Sequence, residues 1–153
     1  MSLTEQEKKQ VEDYLNLYRS KHRAPPIKWD NAITNVSQTW SNHLLNTNQF
    51  LHSKNRTYGE NLYMSGGLKF NNKVDIIKKA IDSWYSEIKL YDFKVNQYKS
   101  GTGHFTALVW KNVTTFGFGV SIEPTKNKII VCYNCSPVVN ILSQFNTNVF
   151  PPQ

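Results

Sequence analysis

At 153 residues and 17.7 kDa the chain is long enough to bury a hydrophobic core without staples, and its length fits one domain spanning 1–153. With 39% hydrophobic and only 19% charged residues it does not read as a disordered segment, and no stretch approaches the ~18 consecutive apolar residues of a membrane span. A formal net charge of +7 draws the surface toward polyanions without choosing among membrane, nucleic acid and acidic glycan.

Met1-Ser2-Leu3-Thr4-Glu5 shows no basic region leading into an apolar run, and position 2 is Ser, so neither a secretory signal nor a myristoylation site is read. The expectation is a cytoplasmic protein, peripheral on a membrane; an extracellular one is the alternative if a signal preceded Met1. Thr4 and Glu7 have capping-box spacing, and Val11, Tyr14, Leu15 and Tyr18 follow at helical intervals. Pro25-Pro26 forces an extended passage through Ile27-Lys28-Trp29. Asp30 then caps a second predicted helix, reaching about Asn46, with Ile33, Val36, Trp40 and Leu44 as its stripe. From Asn46 to Asn72 the signals are those of a loop, with a short turn of helix around Glu60. Lys73 to Leu90 reads as a third helix with Val74, Ile77, Ile81, Trp84 and Ile88 on one face.

After Gly101 the composition turns β-branched and aromatic. Strands are expected at Phe105–Trp110, Phe116–Ile122 and Lys128–Tyr133, in an antiparallel meander. Helices followed by strands make an α+β arrangement. Both cysteines lie in Cys132-Tyr133-Asn134-Cys135, too close together for a disulfide framework, and read as structural thiols. Sequons at Asn35, Asn55, Asn112 and Asn134 carry little weight in a chain so rich in Asn.

Of the four histidines, His22 and His43 read as surface residues on helices. His52 lies in a loop eight residues before Glu60, His104 follows Gly101-Thr102-Gly103 at an expected strand rim, and Glu87 sits near the end of the third helix. Nothing has the i, i+4 spacing of a helical zinc motif or the form of a nucleophile elbow. Residue types and spacing alone therefore define no site.

Trp84-Tyr85-Ser86-Glu87-Ile88 and Gly103-His104-Phe105-Thr106-Ala107-Leu108-Val109-Trp110-Lys111 strongly resemble the two central blocks of the CAP superfamily, the cysteine-rich secretory, antigen-5 and pathogenesis-related group. Tyr58-Gly59-Glu60-Asn61-Leu62, the Arg19 to Trp29 region and Asn148-Val149-Phe150-Pro151-Pro152 are similar to further family segments. The Golgi-associated pathogenesis-related subgroup is nearest in character. The resemblance implies a three-layer α-β-α sandwich with a small, mainly antiparallel sheet. It also implies a cleft lined by His52, Glu60, Glu87 and His104, in which the two histidines hold a divalent metal, zinc for preference, and the glutamates orient imidazole or water. The second family signature is eroded: Asn134, Pro137 and Asn140 match it, while Cys135 and Val139 depart.

Three functions stay open at this stage. The first is a lipid- or sterol-binding module that meets anionic membrane surfaces, with Tyr63, Leu68, Lys69 and Phe70 as lipid-contact candidates in an apolar loop hinged at Gly66-Gly67. The second is a metal-dependent hydrolase with Glu60 or Glu87 as base. The third is a protein-interaction or self-assembly module. A homodimer is an expected partner state and nucleic acid is not an expected partner.

Overall fold

The computed structural model describes residues 2–67 and 69–153. The capping box forms as the sequence predicts: Glu7 N donates to Thr4 Oγ1 and Thr4 N to Glu7 Oε1, opening α1 (Glu5–Ser20). Pro25-Pro26 delivers the chain to β1 (Lys28–Trp29), and Asp30 caps α2 (Asn31–Thr47) by accepting from Ile33 N. β2 (Gly59–Gly66) follows, then α3 (Lys73–Tyr85), continued by a 3-10 turn at Ser86–Leu90. α4 (Gly103–Val109), β3 (Thr115–Glu123), β4 (Lys128–Ser136) and α5 (Phe145–Asn148) complete the chain.

The strands form one sheet in the order β1-β3-β4-β2, antiparallel except where β1 runs parallel to β3. Period-2 alternation divides β4 between two cores. Ile129, Val131, Tyr133 and Cys135 join the larger one, with residues of α1, α3 and α4, whereas Ile130 and Cys132 join Leu44 of α2 in the smaller. Helices thus cover both faces, giving the expected α-β-α sandwich.

Four local expectations are corrected. Phe105–Trp110 is not a strand: residues 103–109 form α4, with Phe105 to Val109 all buried. A continuous apolar run fits a buried helix as well as a buried strand, and periodicity cannot separate them. The turn around Glu60 is instead strand β2, where Glu60 lies opposite Asn134 in register. Tyr63 to Gly66 accordingly belong to β2 rather than to a loop. Finally, α2 buries Ile33, Ser37, Ser41 and Leu44, with Val36 and Trp40 only half-buried.

The cause of that last shift lies in β3. Gly117 and Gly119 face α2 so closely that an added Cβ would stand 2.4 Å from the backbone nitrogen of Thr34 or Gln38. Serines suit a helix face held that near the sheet. The Gln38 amide also brackets the free edge of β3, accepting from Val120 N at 3.0 Å and donating to Val120 O at 2.9 Å.

Arg19, fully buried, ties α1 to α4. Its guanidinium donates to the carbonyls of Leu108 and Trp110, both at 2.9 Å, and its Nε to that of Pro25 at 3.0 Å. A cation at the C-terminal end of α4 satisfies its orphan carbonyls and complements the helix dipole.

Candidate functional site

Four elements supply the site. His52 comes from the loop after α2, Glu60 from β2, Glu87 from the turn after α3, and His104 from the first turn of α4. They converge on one cleft of about 300 Å³, which Tyr98 and Asn140 also line. The tetrad implied by the resemblance is therefore assembled in the fold.

Each histidine is paired with one glutamate. His52 Nδ1 lies 2.9 Å from Glu60 Oε1, and His104 Nδ1 lies 2.8 Å from Glu87 Oε2. An ionised carboxylate only accepts, so both imidazoles carry their proton on Nδ1 and turn the lone pair of Nε2 outward. Among the described residues neither Nε2 has a hydrogen-bond partner. The ring of Trp84 stacks near that of His104 with centroids 6.2 Å apart, and Asn61 Nδ2 donates to His104 O at 3.0 Å.

The carboxylates are heavily committed. Glu60 accepts four hydrogen bonds: from His52 Nδ1, from Ser53 N at 2.9 Å, from Ser53 Oγ at 2.7 Å and from Asn134 Nδ2 at 3.3 Å. Burial works against its ionisation, but these donors outweigh burial and leave the carboxyl below its ordinary value. The bond to Glu60 raises His52 above the ordinary imidazole value, against a smaller opposing effect of burial. Glu87 accepts from the backbone amides of His104 and Phe105, both at 3.0 Å, besides the imidazole.

Two imidazoles, each with a carboxylate on its Nδ1, are by residue type the donors of an open two-histidine metal site. Among the described residues no three His, Cys, Asp or Glu side chains form a cluster able to hold a metal. A metal at the two Nε2 atoms would take its remaining ligands from water or an anion.

The other singled-out residues lie elsewhere. Lys69 and Phe70, both exposed, share an open groove with Tyr14, Lys78 and Lys79. Tyr63 is half-buried and packs against the larger core. Leu68 lies outside the described residues. His22 is not a surface residue: it is fully buried, with Nδ1 2.7 Å from Phe150 O and Nε2 2.7 Å from the Tyr85 hydroxyl. Its neighbours come from α3 and the C-terminal segment, which no local pattern around position 22 reveals. His43 is exposed and stacks on Trp40. Sequence reasoning missed Asn61 and Tyr98 as lining residues of the cleft and Ser53 as a partner of Glu60; adjacency to Glu60 and His52 was the available signal for Asn61 and Ser53.

A small α-β-α sandwich in which two imidazole–carboxylate pairs face one cleft describes a fold of the CAP type. The pattern of the cysteine-rich secretory protein (CAP) family matches residues 12–134, and the chain belongs to that family. It is 34% identical over 140 residues to Golgi-associated plant pathogenesis-related protein 1 of Homo sapiens, covering 90% of this chain and 88% of that one. It is 35% identical over 124 residues to venom allergen 5 of Microctonus hyperodae, of which it spans 53% while 76% of this chain is covered. Among solved structures it resembles BmVAL-1, with a TM-score of 0.76 and 23% identity over 92% of this chain and 81% of that one. It also resembles NaASP2 solved with Zn2+, with a TM-score of 0.76 and 17% identity over 99% of this chain and 88% of that one.

Proposed function

We propose that this CAP domain is a binding module rather than a hydrolase, that its cleft holds a divalent metal between His52 and His104, and that it docks on anionic lipid surfaces. The carrying observation is the commitment of both carboxylates. Glu60 has its four lone-pair sites filled and Glu87 three of four, and each is engaged with an imidazole Nδ1, so neither stands as an uncommitted base for water placed at the Nε2 atoms. What each glutamate does instead is fix an imidazole tautomer, the arrangement that favours metal ligation. Imidazole donors suit zinc, and the neighbour NaASP2 was solved with that ion. The bound metal would supply a Lewis-acidic centre that captures an anionic group.

The membrane reading is supported by the net charge of +7 and by the exposed Lys69-Phe70 pair, in a groove where three lysines, Lys69, Lys78 and Lys79, outnumber Asp75 and Asp82. A relative whose name describes it as Golgi-associated fits a peripheral protein. No described helix is long and apolar enough to cross a membrane. Sterol or another lipid is the expected ligand class at such a surface.

Calorimetric titration of the metal-free protein with zinc tests the first part. Binding should be lost in His52→Ala and His104→Ala alike; binding that survives both substitutions defeats the reading. Sedimentation with vesicles of phosphatidylcholine, with and without phosphatidylserine, tests the second. Anionic vesicles should bind more, and less so as salt rises. Equal binding to both vesicle types would refute electrostatic docking.

A further inference from the structure

The stretch Asn134 to Asn140, in which the family's second signature is eroded, retains two asparagines that grip opposite halves of the cleft. Asn134 lies in β4 and is 1% exposed. Its amide has every hydrogen-bonding capacity filled: Nδ2 donates to Gly59 O at 3.1 Å and to Glu60 Oε2 at 3.3 Å, while Oδ1 accepts from Ser37 Oγ at 2.8 Å and Cys132 Sγ at 3.3 Å. An amide so bound cannot flip. Its NH2 group must point at Glu60, the carboxylate that holds His52.

Asn140 does the corresponding work on the other side. Its Nδ2 donates to Gly103 O at 2.9 Å and its Oδ1 accepts from Thr106 Oγ1 at 2.7 Å, clasping the first turn of α4 on which His104 sits. Its backbone is left-handed, with φ +59°, a conformation Asn adopts more readily than most residues.

We infer that Asn134 and Asn140 are positioning residues for the two imidazoles, Asn134 acting on His52 through Glu60 and Asn140 on His104 through the α4 turn. Among the described residues neither hydrogen-bonds an imidazole. Each sets the geometry of one half, so that the segment joining them fixes how the two Nε2 atoms face each other. The positioning role rests on the two-imidazole reading of the cleft only where metal affinity is concerned.

The test begins without metal, on the full chain, at a pH where both imidazoles are neutral. Long-range proton–nitrogen spectra report the tautomer of each histidine. Asn134→Ala should shift His52 away from its Nδ1-protonated form and leave His104 as it was. Asn140→Gly, which deletes the amide while keeping a residue at home in the left-handed region, should perturb the His104 resonances and spare His52. Should Asn134→Ala fail to fold, Ser37→Ala frees the same amide less severely and should produce a weaker shift of the same sign at His52. Folded variants whose imidazole spectra match the wild type, or whose effects reach both histidines equally, would overturn the proposal.

Zinc titration of the same variants then separates the two claims. Outer partners of metal-bound imidazoles are typically worth 10–100-fold in affinity, and residues one step further out should cost roughly tenfold. Wild-type protein that binds no zinc, combined with half-selective tautomer shifts, sinks the metal reading and supports the positioning one. Zinc binding unchanged in both variants counts against positioning.

Discussion

Glu87 and His104 are joined twice, the carboxylate accepting the imidazole Nδ1 proton and the amide of His104 itself, and the same carboxylate accepts the next amide of α4, at Phe105. One side chain thus caps a helix and orients a candidate ligand. The two roles can be separated by a substitution. In Glu87→Gln the carboxamide oxygen can still accept from the two amides, but an NH2 group facing Nδ1 drives the imidazole proton to Nε2. The protein should fold with a loss of about 1 kcal/mol for the weakened cap, measured by denaturant melt. Its zinc affinity should fall by at least ~10-fold in calorimetry. Equal zinc affinity in the two proteins would show that the tautomer is not held by Glu87.

Acidification should expose His22. Burial pushes this imidazole below its ordinary value of 6.5, and Lys21 adds to the effect against the pull of the Phe150 carbonyl. A depressed folded value means the unfolded chain binds the proton first, so the stability present above pH 6.5 is lost as pH falls toward the folded value. The loss is at most about 1.4 kcal/mol for each pH unit. His52 tilts the opposite way: Glu60 raises it, so its contribution is full below 6.5 and fades as pH rises through the folded value. The difference between wild type and His22→Gln isolates the first effect. Thermal melts from neutral to mildly acidic pH should show the wild type losing more stability than the variant.

The contact of α2 with the sheet predicts a steep cost for one methyl group. Gly119→Ala would place Cβ 2.4 Å from the backbone nitrogen of Gln38, a neighbour that cannot rotate away. Destabilisation of about 3 kcal/mol is expected from such overpacking, and it would also disturb the Gln38 bracket on Val120. Gly66→Ala is the control, since its nearest contact, Asn127 O, stands at 3.5 Å. Chemical denaturation of the two variants should separate them clearly.

Cys132 and Cys135 should be inert in the native protein. Both are free and buried, and burial pushes the Cys135 thiol up to about 12 and the Cys132 thiol well above its ordinary value. With little thiolate and no access, alkylation by iodoacetamide should proceed only after unfolding. Rapid labelling of folded protein at neutral pH would contradict the packing of β4.

The sequence alone determined the starts of α1 and α2, because caps are local. Thr4 with Glu7, and Asp30 ahead of Ile33, sit within one turn of the amides they satisfy. It also determined β3 and β4, whose alternating faces are both buried. Motif likeness, not periodicity, brought His52, Glu60, Glu87 and His104 together, since they are scattered over 53 positions from 52 to 104. Tertiary structure decided the rest. The run at 105–110 became a helix because Glu87, seventeen residues before His104, accepts the amides that open it and Arg19 receives carbonyls at its far end. The buried face of α2 moved to its serines because two glycines of a distant strand let the backbones approach. The polarity of Glu60 and Asn61 hid a strand whose partners, Asn134 and the His104 carbonyl, come from other elements. In each case the deciding interaction joins residues far apart in the chain, and hydrophobic spacing within a short window carries no record of it.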